Sequence, residues 1–183
     1  MRTLSIVILL IFLLGFPDVV SGGSAWAGSA LPDPAGPVEV VDGDTLTVAG
    51  QRVRLYGIDA PETGQYCATK HLKPFDCGRL AARALRLFLG GAKVRCKARG
   101  QLSDGTPVAQ CFAGRNDISA QMTQVGWALA DPKTGADYRR AELAALATKE
   151  GLFKGKFIPP WEWRAGKREI APGLSWTGPE KAN

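Results

Sequence analysis

Residues 38–58 read VEVVDGDTLTVAGQRVRLYGI, an alternation of β-branched and polar residues that is interrupted at Asp42-Gly43 and again at Ala49-Gly50. Alternation with period two is the mark of a half-buried strand, and glycine-containing pairs between such runs mark tight turns. The segment therefore predicts three short antiparallel strands. Downstream, Leu80, Ala84, Leu85 and Phe88 recur at helical spacing between Cys77 and Leu89, and Gly90-Gly91 supplies a left-handed stop. Two further strands follow at residues 93–98 and 107–113, joined by a polar loop around Ser103-Asp104-Gly105. Asn116 or Asp117 can cap a second helix through Ile118, Met122, Val125 and Leu129, and residues 138–149 form a third helical stretch stopped by Gly151. Three strands, a helix, two strands and two helices predict an α+β fold, a five-stranded barrel closed against three helices.

Composition bounds what such a domain can do. Twenty-three Lys and Arg oppose 17 Asp and Glu in 183 residues, a formal charge of +6 that suits a polyanionic partner. With 45% hydrophobic residues, 22 Gly and 12 Pro, the disordered, collagen-like and low-complexity classes fit poorly. A single histidine, His71, excludes His-clustered metal centres, so the chemistry must rest on carboxylates and arginines.

Arg2, the apolar run from Ile6 to Phe16 and the small residues Ala25 and Ala27 have the order of an export signal, so residues 1–27 are expected to be removed. The apolar run is shorter than the roughly 20 residues a membrane anchor needs, and Pro17-Asp18 closes it. Cleavage removes Arg2 and Asp18 together, which leaves the +6 on the mature chain. The expected organisation is a linker at 28–37, a folded domain at 38–164 and a flexible tail at 165–183. A periplasmic or secreted monomer without stable membrane association is expected.

Export exposes Cys67, Cys77, Cys96 and Cys111 to an oxidising compartment, which favours two disulfides. A four-cysteine zinc site is the alternative, but no spacing is a short C-x2-C or C-x4-C clip. Of the three pairings, Cys67 with Cys77 closes a short loop and Cys96 with Cys111 staples a hairpin, and that pair is expected.

The chemistry concentrates in Asp42-Gly43-Asp44-Thr45 and in the run Arg54-Leu55-Tyr56-Gly57-Ile58-Asp59-Ala60-Pro61-Glu62. Alone, Asp42-Gly43 reads as a turn. The second segment ends a strand in two more carboxylates, and strand ends beside turns are where sites are built. Asp44 and Asp59 offer hard oxygen ligands, and the extended residue before Pro61 can present the Ala60 carbonyl as a third, a partial cage that suits Ca²⁺. Glu62 is then the candidate general base, and Arg54 the candidate phosphate-binding arginine.

These segments resemble the staphylococcal nuclease family. The resemblance runs from about Val38 to Arg164 and includes Cys77-Gly78-Arg79, Gly126-Trp127-Ala128, Tyr138 and Trp161-Glu162-Trp163-Arg164. It implies an OB-fold barrel with three helices and Ca²⁺-dependent hydrolysis of DNA and RNA that leaves a 3′-phosphate. By position it assigns Asp44, Asp59 and the Ala60 carbonyl to the metal, Glu62 to the base role and Arg54 to phosphate. Two positions depart from the family pattern. Thr106 stands in place of a second catalytic arginine, and Ala130-Asp131-Pro132 stands where a base-stacking tyrosine is expected.

A regular register with Cys96 opposite Cys111 would set Arg99 opposite Val108, making Arg99 a candidate substitute arginine. Trp161 and Trp163 are expected to pack rather than stack on bases. Lys70, Lys73, Arg79, Arg83 and Arg86 are expected on a solvated face, unless they border the acidic pocket. The expected activity is non-specific cleavage of DNA or RNA, single-stranded or denatured strands favoured. The competing expectation is an OB-fold module that binds nucleic acid or nucleotides and cuts weakly or not at all.

Overall fold

The computed structural model describes residues 38–175. The expected signal segment and linker, and the end of the expected tail, lie outside the described residues.

Five strands form the path of the main sheet, β1 Val38–Val40, β2 Thr45–Val48, β3 Gln51–Leu55, β4 Val94–Gln101 and β5 Pro107–Ala113, and the short strand Asn116–Asp117 pairs with β5 off that path. Their order is β1-β2-β3-β5-β4. The pairing is antiparallel except between β3 and β5, which run parallel with Arg54 opposite Val108 and Leu55 opposite Ala109. The sheet curls into a half-barrel of OB-fold type. Its inner face carries Leu46, Val53, Leu55, Val94, Ala109 and Cys111, all essentially inaccessible. Helix α1, Cys77–Leu89, closes one side with Ala81 and Leu85.

Local chemistry explains most boundaries. Ala49 and Gly50 both have positive φ, the two-residue hairpin geometry that matches strand twist, and they connect Val48 to its partner Gln51. The Asp76 side chain caps α1 by accepting from the Arg79 amide, and Gly90 ends it in the left-handed region. Asp117 caps α2, Ile118–Gln124, through the Ala120 amide. Arg139–Thr148 forms α3, which ends at left-handed Lys149, ahead of the expected stop at Gly151.

Four expectations need correction. The second helix ends at Gln124, so Leu129 is not helical. Gly126 turns the chain with positive φ where a Cβ would stand 2.4 Å from the Glu150 carbonyl, and Leu129–Ala130 then pairs with Ile58–Asp59. A fourth helix, α4 Pro160–Arg164, begins with a proline in its first turn, where the missing amide is harmless. The tail expected from residue 165 contains a hairpin, Glu169–Ala171 against Leu174–Ser175. Finally, a register shift between Ala98 and Gly100 sets Gly100, not Arg99, opposite Val108. Gly100 has a φ of 157°, which side-chain-bearing residues rarely adopt and glycine tolerates, so the extra residue is absorbed as a bulge.

Both expected disulfides are formed, Cys67–Cys77 and Cys96–Cys111. The first joins the strand Tyr66–Thr69 to the start of α1 inside a second apolar cluster with Leu129 and Leu152, against which Trp161 packs. Trp163 instead lies under the Arg168 guanidinium, 3.9 Å from its ring centroid. Reduction of both disulfides is expected to cost about 2–4 kcal/mol each, read as a lower denaturation midpoint in urea with dithiothreitol than without.

Candidate functional site

The loop 41–44 delivers the first acid. A Cβ on Gly43 would come within 2.7 Å of the Ala60 Cβ and 2.8 Å of the Ala81 Cβ. Gly43 therefore serves close approach to α1 and to residue 60. Asp44, 2% exposed, receives the Thr45 hydroxyl at 3.0 Å on Oδ1 and the Ala60 amide at 2.7 Å on Oδ2. Asp59 enters from the strand Ile58–Asp59, where Leu129 faces it in antiparallel register, and its side chain is 1% exposed.

Arg54 rises from β3 between the two acids. Its Nη2 stands 2.7 Å from Asp59 Oδ1 and 3.0 Å from Asp44 Oδ2. Burial pushes the Asp44 carboxyl well above the usual carboxylate range, against the pull of Arg54, and Asp42 and Asp59 add to the push. Burial works against the Arg54 charge too, but Asp44 and Asp59 outweigh it and hold its pKa above the ordinary value.

Glu62 follows Pro61 on a loop fixed from two sides. Its amide donates to Gln65 Oε1 at 3.0 Å, and its carbonyl accepts from the Gln65 amide at 2.8 Å. Behind it lies Gly78 in the first turn of α1, where a Cβ would stand 1.9 Å from the Glu62 carbonyl oxygen. Gln65 is wholly buried and also donates from Nε2 to the Ile158 carbonyl at 2.8 Å. One amide side chain thus ties the loop of Glu62 to the segment leading into α4.

That helix brings Arg164 into the site. Nη1 and Nη2 donate to Asp59 Oδ1 and Oδ2 at 2.8 and 2.6 Å, and Nη1 also pairs with Glu62 Oε1. The hydrogen bonds to Asp59 raise the Arg164 pKa further above its ordinary value, burial opposing and Glu62 adding to the rise. Arg54 and Arg164 line one groove of about 520 Å³ with Tyr56, Arg99, Gln101 and Lys133. Asp131, on the same groove, accepts from the Lys133 and Thr134 amides, both at 2.8 Å. Burial disfavours its charge, yet these amides hold its carboxyl below the usual range.

Asp44, Asp59, Ala60, Glu62 and Arg54 are therefore brought together as their sequence spacing predicts. Arg99 reaches the same groove from the bulge, but it lies 5.3 Å over the Tyr56 ring and bonds Gln110 rather than the acids. Thr106 stays in the β4–β5 loop, where its amide donates to Asp104 at 2.9 Å, and it does not line the groove. Lys70, His71 and Lys73 line a separate groove with Phe75 and Trp127. Sequence reading missed the parts played by Gln65, Gly78 and Arg164. The only signals were the helix-opening Cys77-Gly78-Arg79 and the terminal Trp163-Arg164, whose places depend on distant chain segments.

The buried acids test whether a cation fits. Two carboxylates at 2% and 1% exposure, with the Ala60 peptide against one of them, form a hard-oxygen pocket that already takes up positive charge from two guanidinium groups. Among the described residues no three His, Cys, Asp or Glu side chains are grouped to hold a metal ion. Asp44 and Asp59 could thus hold a Ca²⁺-like ion only with carbonyl, water or phosphate oxygens completing its shell.

Residues 52–155 match the family model described as staphylococcal nuclease homologue. The chain belongs to that family. It is 33% identical over 133 residues to the succinoglycan biosynthesis protein ExoI of Rhizobium meliloti (strain 1021), covering 71% of this chain and 69% of that protein. It is 31% identical over 127 residues to the probable endonuclease LCL3 of Yarrowia lipolytica (strain CLIB 122 / E 150), covering 61% of this chain and 54% of that one. Membership in the staphylococcal nuclease homologue family supports a nuclease-type function with nucleic acid as substrate.

Two substitutions probe how Glu62 is held. Gln65→Leu leaves two backbone groups without a partner and is expected to cost about 1–3 kcal/mol by denaturant titration. Gly78→Ala is expected to cost a similar, roughly 1–3 kcal/mol, by forcing the Glu62 carbonyl away.

Proposed function

We propose that this protein is an exported, Ca²⁺-dependent nuclease that hydrolyses DNA and RNA with little sequence specificity. It acts as a monomer in the periplasm or outside the cell, with single-stranded or denatured strands favoured. The observation that carries this reading is the convergence of Arg54, Asp44 and Asp59, with Glu62 joined to them through Arg164. The +6 charge supports attraction to a phosphate backbone without base reading. The amino-terminal pattern of residues 1–27 supports export.

Asp44 and Asp59, with the Ala60 carbonyl, would hold the cation. When bound, it polarises a phosphoryl oxygen and offsets charge in the transition state. Arg54 holds a non-bridging phosphate oxygen in its planar fork. Glu62 takes a proton from water as the water oxygen bonds to phosphorus. The bond from phosphorus to the 5′ oxygen breaks, and that oxygen takes a proton from solvent, leaving a 3′-phosphate and a 5′-hydroxyl.

A second reading, a nucleic-acid or nucleotide-binding module that cuts weakly or not at all, is favoured by Thr106 at the family's arginine position and by the engagement of Glu62 with Arg164. Incubation with denatured DNA separates the two. Cleavage is expected with Ca²⁺, none with chelator, and none from Glu62→Gln; binding without cleavage by the wild type supports the second reading.

Ca²⁺ should also act without nucleic acid. At about 100 times its Kd a ligand specific for the folded state adds about 2.7 kcal/mol, a rise in Tm of roughly 5–10 °C for a domain of this size. Asp44→Asn and Asp59→Asn are expected to abolish that rise in a calorimetric scan.

A further inference from the structure

We infer that Arg164 is the second phosphate-binding arginine of the site, supplied by the carboxy-terminal helix; this rests on the nuclease reading above. Asp59 is the shared point. Its Oδ1 accepts from Arg54 at 2.7 Å and from Arg164 at 2.8 Å, so two guanidinium groups flank a single carboxylate oxygen. Both arginines line the same groove, and the Arg164 side chain is 43% exposed while Asp59 is 1% exposed. An anion entering the groove can therefore reach Arg164, where it competes with Asp59 and Glu62 for Nη1 and Nη2.

Charge balance points the same way. Asp44, Asp59 and Glu62 carry three negative charges against the two positive charges of Arg54 and Arg164. A divalent cation turns that excess positive by one, which matches one phosphodiester. With Arg54 alone the cation-loaded site would be neutral, and the charge of the phosphodiester and of its transition state would be left unmatched.

The path of the chain fits a reactive role better than a tether. Asp59 already has the part-buried Arg54 as a partner, and Arg164 reaches past that pair to a second acid. Arg164 thus spans Asp59 and Glu62, the metal-side acid and the proposed base. Gln65 links the loop of Glu62 to the Ile158 carbonyl, just ahead of the helix that carries Arg164. Thr106 lies outside the groove and the β4–β5 loop contributes only Leu102 to its lining, so that loop supplies no cation for this place.

Arg164→Ala, Arg164→Lys and, as a control on the same helix, Glu162→Ala test this on the full mature chain. The first readout is single-stranded oligonucleotide binding in chelator across a salt series. Arg164→Ala is expected to weaken binding and to make the slope of log K against log salt shallower by about 0.7, the loss of one phosphate contact, with Arg164→Lys recovering most of it. The second is cleavage with Ca²⁺, where Arg164→Ala is expected to lower kcat by about 10²–10³. Arg164→Lys, which lacks the planar fork, should recover only part of kcat. Glu162→Ala should match the wild type in both.

A salt slope unchanged in Arg164→Ala, or a kcat within about twofold of the wild type, overturns the inference. Absence of cleavage by the wild type would instead overturn the nuclease reading, and the salt slope would still decide whether Arg164 contacts phosphate. A melting curve of Arg164→Ala separates the two effects: full kcat loss with an unchanged slope and a lowered Tm assigns Arg164 to holding Asp59 and Glu62 in place, and overturns phosphate contact.

Discussion

Asp59 lies at 1% exposure and holds two guanidinium groups, Arg54 through one oxygen and Arg164 through both. A carboxylate that deep is costly unless it is paired, and stripping one partner from such a pair typically costs about 3–5 kcal/mol. The charged residues that meet around it come from four parts of the chain. Arg54 comes from β3, Asp59 from the short strand that pairs with Leu129–Ala130, Glu62 from the loop beyond, and Arg164 from the last helix. The site is thus held together by opposite charges that could not be buried separately.

Backbone proximity does the remaining positioning. Gly43 lets the Asp44 loop lie against Ala60 and Ala81, and Gly78 lets the Glu62 carbonyl pass over the first turn of α1. The Cys67–Cys77 bond fixes the strand following that loop to the same helix. Glu142 of α3 accepts from the Ala130 amide at 3.2 Å, which anchors the strand opposite Asp59. Small residues and one buried amide, Gln65, therefore set the spacing at which the charged groups meet.

The arrangement also reconciles the family pattern with its gap. Thr106 leaves the β4–β5 loop without an arginine, while α4 brings Arg164 into the groove. Arg99, the nearer candidate by sequence, is turned onto Tyr56 by the bulge that precedes Gly100. The barrel is a scaffold on which cations can enter from different elements, since electrostatic stabilisation depends on where the charge stands and not on which strand carries it.

The sequence by itself determined the five strands, a cap at Asn116 or Asp117, both disulfide pairings and the grouping of Asp44, Arg54, Asp59, Ala60 and Glu62. Those features are local: alternation, turn residues and acids a few positions apart at one strand end carry their own signal. The end of α2 at Gln124, the bulge near Arg99, the buried bonds of Gln65 and the entry of Arg164 were decided only by the tertiary structure. Each depends on a partner far away in the chain, Gly126 on Glu150, Gln65 on Ile158 and Arg164 on Asp59 about a hundred residues earlier. No periodicity or spacing encodes such meetings. They arise when the half-barrel and its helices close around charges that must be paired to be buried.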